Sequence, residues 1–293
     1  MKDMSRRKLV RPYLFLLPTL LILIVYSYLP VLYGIFLSFQ DMNPGTGEMK
    51  FAGLKNYSRI LQDAALGESL KNTLVYVVGA TAVVVVFGLI VASILNSKIR
   101  GTSFYLTILF IPWVLSDVVV GNTWTWLFNP DVGVLKYLFE PLGIDPSILL
   151  NNPQYAMFGV IIVTLWKMLA YNTILLLAGM QNLSKDYIEA AQLDGCTGMQ
   201  LKRYIVLPIL TPTIITVILL SIINCISQTG MILVLTNGGP LTSTQTLAVL
   251  LYKEAFVNFN FSSATAMSMV LAVINIAIVL VYLRLTRKTT VDQ

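Results

Sequence analysis

The sequence predicts an all-α integral membrane protein of six transmembrane helices. Three observations carry that prediction. The 293-residue chain is 56% hydrophobic and only 12% charged, with a mean hydropathy of +0.77, whereas a soluble domain carries about a quarter charged residues. Pro12 to Phe39 and Asn72 to Ser97 contain no charge at all, and each exceeds the roughly 20 residues that cross a hydrocarbon layer. A short polar interval around Glu189 separates two more long apolar stretches, giving a loop with its own helix signals.

The spans are expected at 12–38, 72–97, 103–128, 155–181, 205–236 and 262–284. In the first, Arg6, Arg7, Lys8 and Arg11 precede an apolar run in the manner of a signal peptide. The run is too long for a signal h-region and no clean small-x-small site follows, so it reads as a retained span. The remaining segments are long for minimal spans, which implies tilt or extension beyond the bilayer.

Basic residues set the orientation. Lys2, Arg6, Arg7, Lys8, Arg11, Lys98, Arg100, Lys185, Lys202, Arg203, Arg284, Arg287 and Lys288 fall on one side. Lys50, Lys55, Arg59, Lys71, Lys136 and Lys253 fall on the other, and Lys167 lies within a span. The split of 13 against 6 places both termini and the 183–203 segment in the cytoplasm. The net charge of +6 is therefore topological and gives no reason to expect nucleic acid as a partner; the lipid bilayer is the expected surroundings.

Catalytic chemistry is nearly absent. The chain has no His, which removes the usual general base and the commonest metal ligand, and no catalytic or metal site is expected. Cys196 and Cys225 fall in the cytoplasmic segment and mid-span respectively, too far apart for a disulfide. No Gly-x-x-x-x-Gly-Lys-Ser/Thr occurs, so a nucleotide driving this chain must be bound by another polypeptide.

The cytoplasmic segment is dense with helix punctuation. Ser184 is placed to cap a helix whose first turns carry Asp186 and Glu189, near the positive end of the dipole. Ala190 and Ala191 add strong helix formers with little bulk. Lys185, Glu189 and Gln192 share one face, and Tyr187, Ala190 and Ala191 another. Gly195 suits a left-handed helix end, and Thr197-Gly198-Met199-Gln200 matches a capping box opening a second helix. Pro208 should bend that helix as it enters the fifth span. An ordinary inter-span loop is the alternative to a docking knob.

Glu189-Ala190-Ala191, three residues, Gly195, nine residues, then Ile205-x-Leu207-Pro208 resembles, without a gap, the EAA motif of ABC importer permeases. Phe51-Ala52-Gly53-Leu54-Lys55-Asn56-Tyr57, Leu70-Lys71-Asn72-Thr73 and Leu177-Ala178-Gly179-Met180-Gln181 resemble carbohydrate-type members. So do Leu235-Thr236-Asn237-Gly238-Gly239-Pro240 and Thr244-Gln245-Thr246-Leu247 with Tyr252 and Ala255-Phe256. The basic tail leading straight into apolar sequence is similar to the MalF/LacF-like partner. Two features depart from the pattern: Leu183-Ser184 stands where Ile-Pro is frequent, and the first external loop is short.

The resemblance implies a type I importer permease fold. Its parts would be a cytoplasmic tail, first span and short external loop over 1–66, a permease domain over 67–286 with its coupling helix at about 184–196, and a cytoplasmic tail over 287–293. It implies a heterodimer with a second MalG/LacG-like permease, an ABC ATPase homodimer inside and an extracytoplasmic solute-binding protein, in a bacterial inner membrane. ATP and Mg would sit on the ATPase; this chain would carry no cofactor. Glu189, Ala190, Ala191, Asp194, Gly195, Leu207 and Pro208 would transmit force and perform no covalent chemistry.

Polar groups inside the spans are candidates for the solute path. Ser221, Asn224 and Gln228 recur at helical spacing in the fifth span, with Trp124, Trp126, Trp166 and Tyr171 as aromatic faces. The competing reading is interhelical hydrogen bonding for the polar groups and interfacial anchoring for the aromatics; Ser268 and Asn275 stand under the same alternatives. Asp117 and Lys167 are expected mid-span, where a charge costs roughly 2.5–3.5 kcal/mol on insertion scales. They either neutralise one another or line a wet cavity, and replacing both by Asn should then be tolerated better than replacing one. Asn237-Gly238-Gly239-Pro240 reads as an external turn, either a plain tight turn or, as the family implies, a loop near solute delivery. A neutral mono- or oligosaccharide fits the single basic cavity candidate, Lys167, better than a glycerol phosphate ester does. A secondary transporter would be expected to show internal repeats and an in-membrane ion site.

Overall fold

A computed structural model describes residues 15–43, 45–97 and 100–291. The basic tail before Phe15, with the expected start of the first span at Pro12, and Lys98 lie outside the described residues. The chain divides into two compact units, Met1–Asp63 with Leu251–Val270, and Ala64–Leu250 with Leu271–Gln293.

The first unit opens with α1, Phe15–Ser38. It contains a π-helical turn at Ile24–Tyr28. Pro30 has no N–H to give to the carbonyl of Tyr26, and the helix widens over the preceding turn to accommodate it. The hairpin β1 (Gln40–Met42) and β2 (Met49–Phe51) follows, with Gln40 opposite Phe51, Asp41 opposite Lys50 and Met42 opposite Met49. Helix α2, Lys55–Gln62, then turns back. Its buried Asn56 donates to the carbonyls of Ser38 (2.9 Å) and Gln40 (2.8 Å), and the Tyr57 hydroxyl donates to Ser38 Oγ at 2.7 Å. The Lys55-Asn56-Tyr57 signature thus satisfies the backbone groups left open where α1 ends.

The second unit is built on two packed helices, α3 (Ala64–Leu95) and α8 (Ala156–Gln181). Tyr76, Ala80 and Val84 of α3 and Val160 and Val163 of α8 are fully buried. A hydrogen bond between the hydroxyls of Tyr76 and Thr164, 3.0 Å, satisfies both polar groups inside that core. Helix α3 starts eight residues before the expected 72, because the helix runs past the apolar stretch through Glu68 and Lys71.

Between them lie α4 (Thr102–Val114), α5 (Asp117–Leu127) and the short helices α6 (Val134–Phe139) and α7 (Ile148–Asn151). After α8 come α9 (Lys185–Leu193), α10 (Gly198–Ile226), α11 (Gly230–Thr236), α12 (Leu247–Phe256) and α13 (Phe261–Val291). Among the described residues α1, α3, α8, α10 and α13 are long and apolar enough to cross a membrane, and α4 with α5 makes a sixth if the pair is one span.

Two expectations need correction. The third span, read as one helix over 103–128, is broken and bent by 97° between α4 and α5. Pro112 removes a helical donor, Leu115 is extended (ψ 141°), and Ser116 caps a new helix. Asp117 therefore stands in the first turn of α5 rather than mid-helix. The fifth span, read as 205–236, stops at Ile226 and restarts at Gly230. Gln228 accordingly lies in the interruption and not on a helical continuation of Ser221 and Asn224.

Candidate functional site

Both interruptions lie in the second unit, and they are neighbours. At the first, Ser116 Oγ accepts from the Val119 amide at 3.4 Å, and Asp117 gains from its place in the first helical turn. At the second, Ser227, Gln228 and Thr229 link α10 to α11. Two glycines permit the close approach of α5 and α11. A Cβ on Gly121 would lie 2.7 Å from Cβ of Val234, and one on Gly230 would lie 3.2 Å from Oδ2 of Asp117.

Lys167, on the neighbouring α8, forms an ion pair with Asp117. The side chains remain 17% and 33% exposed respectively, so the pair faces a cavity instead of being sealed in the core. That cavity measures about 300 Å³. Among the described residues, Asp117 and Lys167 are its only charged lining residues. Asn224 and Gln228 add amides and Trp113 aromatic surface, while Met168, Cys225, Met231 and the buried Tyr76 and Thr164 complete the wall.

Of the candidate path residues, Lys167, Asn224 and Gln228 are brought together here. Ser221, Trp124, Trp126, Trp166, Tyr171, Ser268 and Asn275 stand away from the lining. Ser221 is fully buried and donates to Asn172 Oδ1 at 2.7 Å, an interhelical bond between α10 and α8. Trp124 packs edge-on against Trp166, with ring centroids 5.6 Å apart. Tyr171 stacks on Trp113 at 5.5 Å with planes 3° apart, buttressing the ring that does line the cavity. Sequence reasoning missed Trp113, Thr164 and Tyr76. Thr164 had a usable signal, since it lies one turn before Lys167 on the same face of α8. Trp113 had only its place beside Pro112.

The 184–208 element is set by local chemistry. Ser184 Oγ accepts from the Asp186 amide at 3.2 Å. At the other end of α9, the Gly195 amide donates to Gln192 O and the Cys196 amide to Ala191 O, both at 3.0 Å. With Asp194 as C-cap and Gly195 at φ +79°, this is a Schellman closure. Thr197 and Gln200 then form the capping box, the Thr197 amide donating to Gln200 Oε1 at 2.8 Å. Ala191 is buried, which holds α9 in place. Glu189, Ala190 and Asp194 are at the surface of this element, and Tyr187, Leu193 and Met199 are exposed beside them, Leu193 to 90%. Leu207 and Pro208 follow a second π-helical turn, Lys202–Val206. It precedes Pro208 at the same spacing as the first precedes Pro30, so the expected bend takes the form of a widened turn.

Residues 84–291 match the model of a family described as the binding-protein-dependent transport system inner membrane component. The chain is 35% identical over 282 residues to the probable ABC transporter permease protein of Pyrococcus horikoshii, covering 95% of this chain and 97% of that one. It is 32% identical over 280 residues to the sn-glycerol-3-phosphate transport system permease protein of Agrobacterium fabrum, covering 95% of each. Among solved structures, a chain of a bacterial ABC transporter involved in the import of the acidic polysaccharide alginate shares the fold. The TM-score is 0.83 at 23% identity, covering 98% of both chains. With the family model spanning most of the sequence and these relatives aligned nearly end to end, the chain belongs to the family of binding-protein-dependent transport system inner membrane components.

Proposed function

We propose that this chain is one of two permease subunits of an ATP-driven importer that carries a neutral mono- or oligosaccharide across a bacterial inner membrane, with both termini cytoplasmic. The observation that carries the choice of solute is the cavity lining. Two amides offer donors and acceptors for sugar hydroxyls, Trp113 offers a face for C–H surfaces, and the two charges cancel. The partners would be a second six-span permease, an ATPase pair holding ATP and Mg, and an extracytoplasmic solute-binding protein. Glu189, Ala190, Ala191, Asp194 and Gly195 would form the surface gripped by the ATPase, with Leu207 and Pro208 passing its motion into α10. The alternative solute is a glycerol phosphate ester, favoured by the relative named for sn-glycerol-3-phosphate transport and by the cavity's Lys167.

The test is a gentle-detergent pull-down of the tagged chain from its native membrane, with mass spectrometry, followed by uptake into proteoliposomes. Recovery of a permease and a P-loop ATPase, and ATP-dependent uptake of a neutral sugar, is the expected result. Recovery of the chain alone, under conditions that keep a known ABC complex intact, overturns the importer reading. Uptake confined to phosphate esters moves the solute to the alternative.

A further inference from the structure

We propose that Asp117 is the charge filter of the cavity: by pairing with Lys167 it holds the lining at zero net charge, so that neutral sugars are admitted and anionic solutes are turned away. The inference rests on the importer reading of this cavity.

An ammonium group with no partner, facing a polar cavity, is a strong donor for a phosphate or carboxylate. Lys167 would be such a group, since it is the sole cation that the described residues contribute to the lining. Asp117 removes that attraction in two ways. It occupies one of the ammonium's donors, so an arriving anion must compete with a carboxylate already in position. It also presents a like charge to that anion, which disfavours the wrong solute instead of improving the right one.

The carboxylate is positioned for this task from three directions. The Ser116 cap starts α5 immediately before it. Gly230 leaves the room its Oδ2 occupies against the second interruption. Lys167 projects from the unbroken α8. The incomplete burial of both side chains matters as much as their contact. A pair sealed in the core would be satisfied there and blind to solute, whereas this one meets whatever enters.

A filter of this kind predicts reciprocal changes of preference, which a merely structural pair does not. The whole importer, copurified with its partners and placed in nanodiscs, would be titrated with glucose, glucose 6-phosphate and glucosamine, with saturation-transfer NMR reading weak binding. Asp117→Asn should raise the affinity for glucose 6-phosphate relative to glucose by tenfold or more. Lys167→Gln, which leaves the carboxylate alone, should do the same for the cationic glucosamine. The double variant should return both ratios to those of the unaltered chain. Unchanged ratios in the single variants of an intact complex overturn the proposal. If Asp117→Asn fails to assemble, the glucosamine ratio of Lys167→Gln against the double variant decides the matter alone. The carbohydrate reading is tested separately by neutral-sugar uptake in the unaltered importer. Uptake with unmoved ratios removes the filter and leaves the reading, and moved ratios without uptake do the reverse.

Discussion

The 184–208 element and the cavity are both candidate working parts of one unit of this chain, yet they are specified in opposite ways. The element is written locally. Ser184, Gly195, Thr197, Gln200 and Pro208 each act on backbone groups a few residues away, so its shape follows from short-range rules. The cavity is written at long range. It requires Asp117 on α5 to meet Lys167 on α8, fifty positions later in sequence, and α11 to seat against α5 through Gly121 on one and Gly230 on the other. The difference separates a part whose shape is set within one short segment from a part whose contacts are made between helices distant in sequence.

The largest effect is expected where local specification is strongest. At Gly195, with φ +79° and open space around a built Cβ, a side chain is opposed by conformation and not by crowding. Left-handed geometry costs a residue with a Cβ roughly 1–2 kcal/mol. Gly195→Asp is expected to abolish transport while leaving normal amounts of protein in the membrane, because it disturbs the end of α9 and adds charge to the surface proposed to meet the ATPase. Gly195→Asn, which tolerates the left-handed region best among larger residues, should retain most uptake. Wild-type uptake by Gly195→Asp, measured in cells with matched membrane levels, would remove the coupling role from this element.

The next effect belongs to the cavity. Removing one partner of a fully buried ion pair costs about 3–5 kcal/mol, but Asp117 and Lys167 retain access to water, so a loss of about 1–3 kcal/mol is expected for either single change. Changing Asp117 to Asn and Lys167 to Gln together should recover more than half of it. Melting of the purified importer measures the cycle. Additive losses in the double variant would mean that the pair contributes no coupling to stability.

How much was legible follows the same division. Charge-free runs longer than a bilayer announced the membrane, and the helix signals around Glu189 announced the capped element nearly residue for residue. The interruptions at Leu115–Ser116 and 227–229 did not show, because an apolar segment reads alike whether its helix continues or breaks. Pro112 and Ser116 were visible but ambiguous, since membrane helices tolerate both. What decides the matter is that α5 and α11 pack together through Gly121, a fact no window of sequence contains. The same limit explains why Ser221 and Asn224 looked equivalent. They are three residues apart on α10, and only the neighbouring α8 distinguishes the one that bonds Asn172 from the one that lines the cavity.

A moderate effect is expected at the seam between the interrupted spans. Gly121→Ala places a methyl within 2.7 Å of Val234, a β-branched side chain on a helix that cannot easily rotate away. Overpacking of this kind costs about 1–3 kcal/mol. The companion change Val234→Ala should relieve the part of the penalty that comes from Cγ1, while the equally close contact with Cβ, which alanine retains, stays. A double variant that melts no higher than Gly121→Ala alone would show that α5 and α11 do not pack through this contact.

The smallest effect separates packing from the solute path within one helix. Ser221→Ala removes a buried hydrogen bond to Asn172 and leaves an amide oxygen short of a partner, at a cost of about 1 kcal/mol in stability. Because Ser221 is fully buried and outside the lining, the KM for the transported solute should stay within about twofold. Asn224→Ala and Gln228→Ala remove side chains that do line the cavity, and they should raise KM several-fold with little change in melting, as expected for lost interactions of about 1 kcal/mol with a bound solute. Uptake kinetics and melting measured on the same preparations give the contrast directly. If Ser221→Ala shifts KM as far as Asn224→Ala does, the path reaches deeper into α10 than this cavity extends, and the hydrogen bond to Asn172 must open during transport.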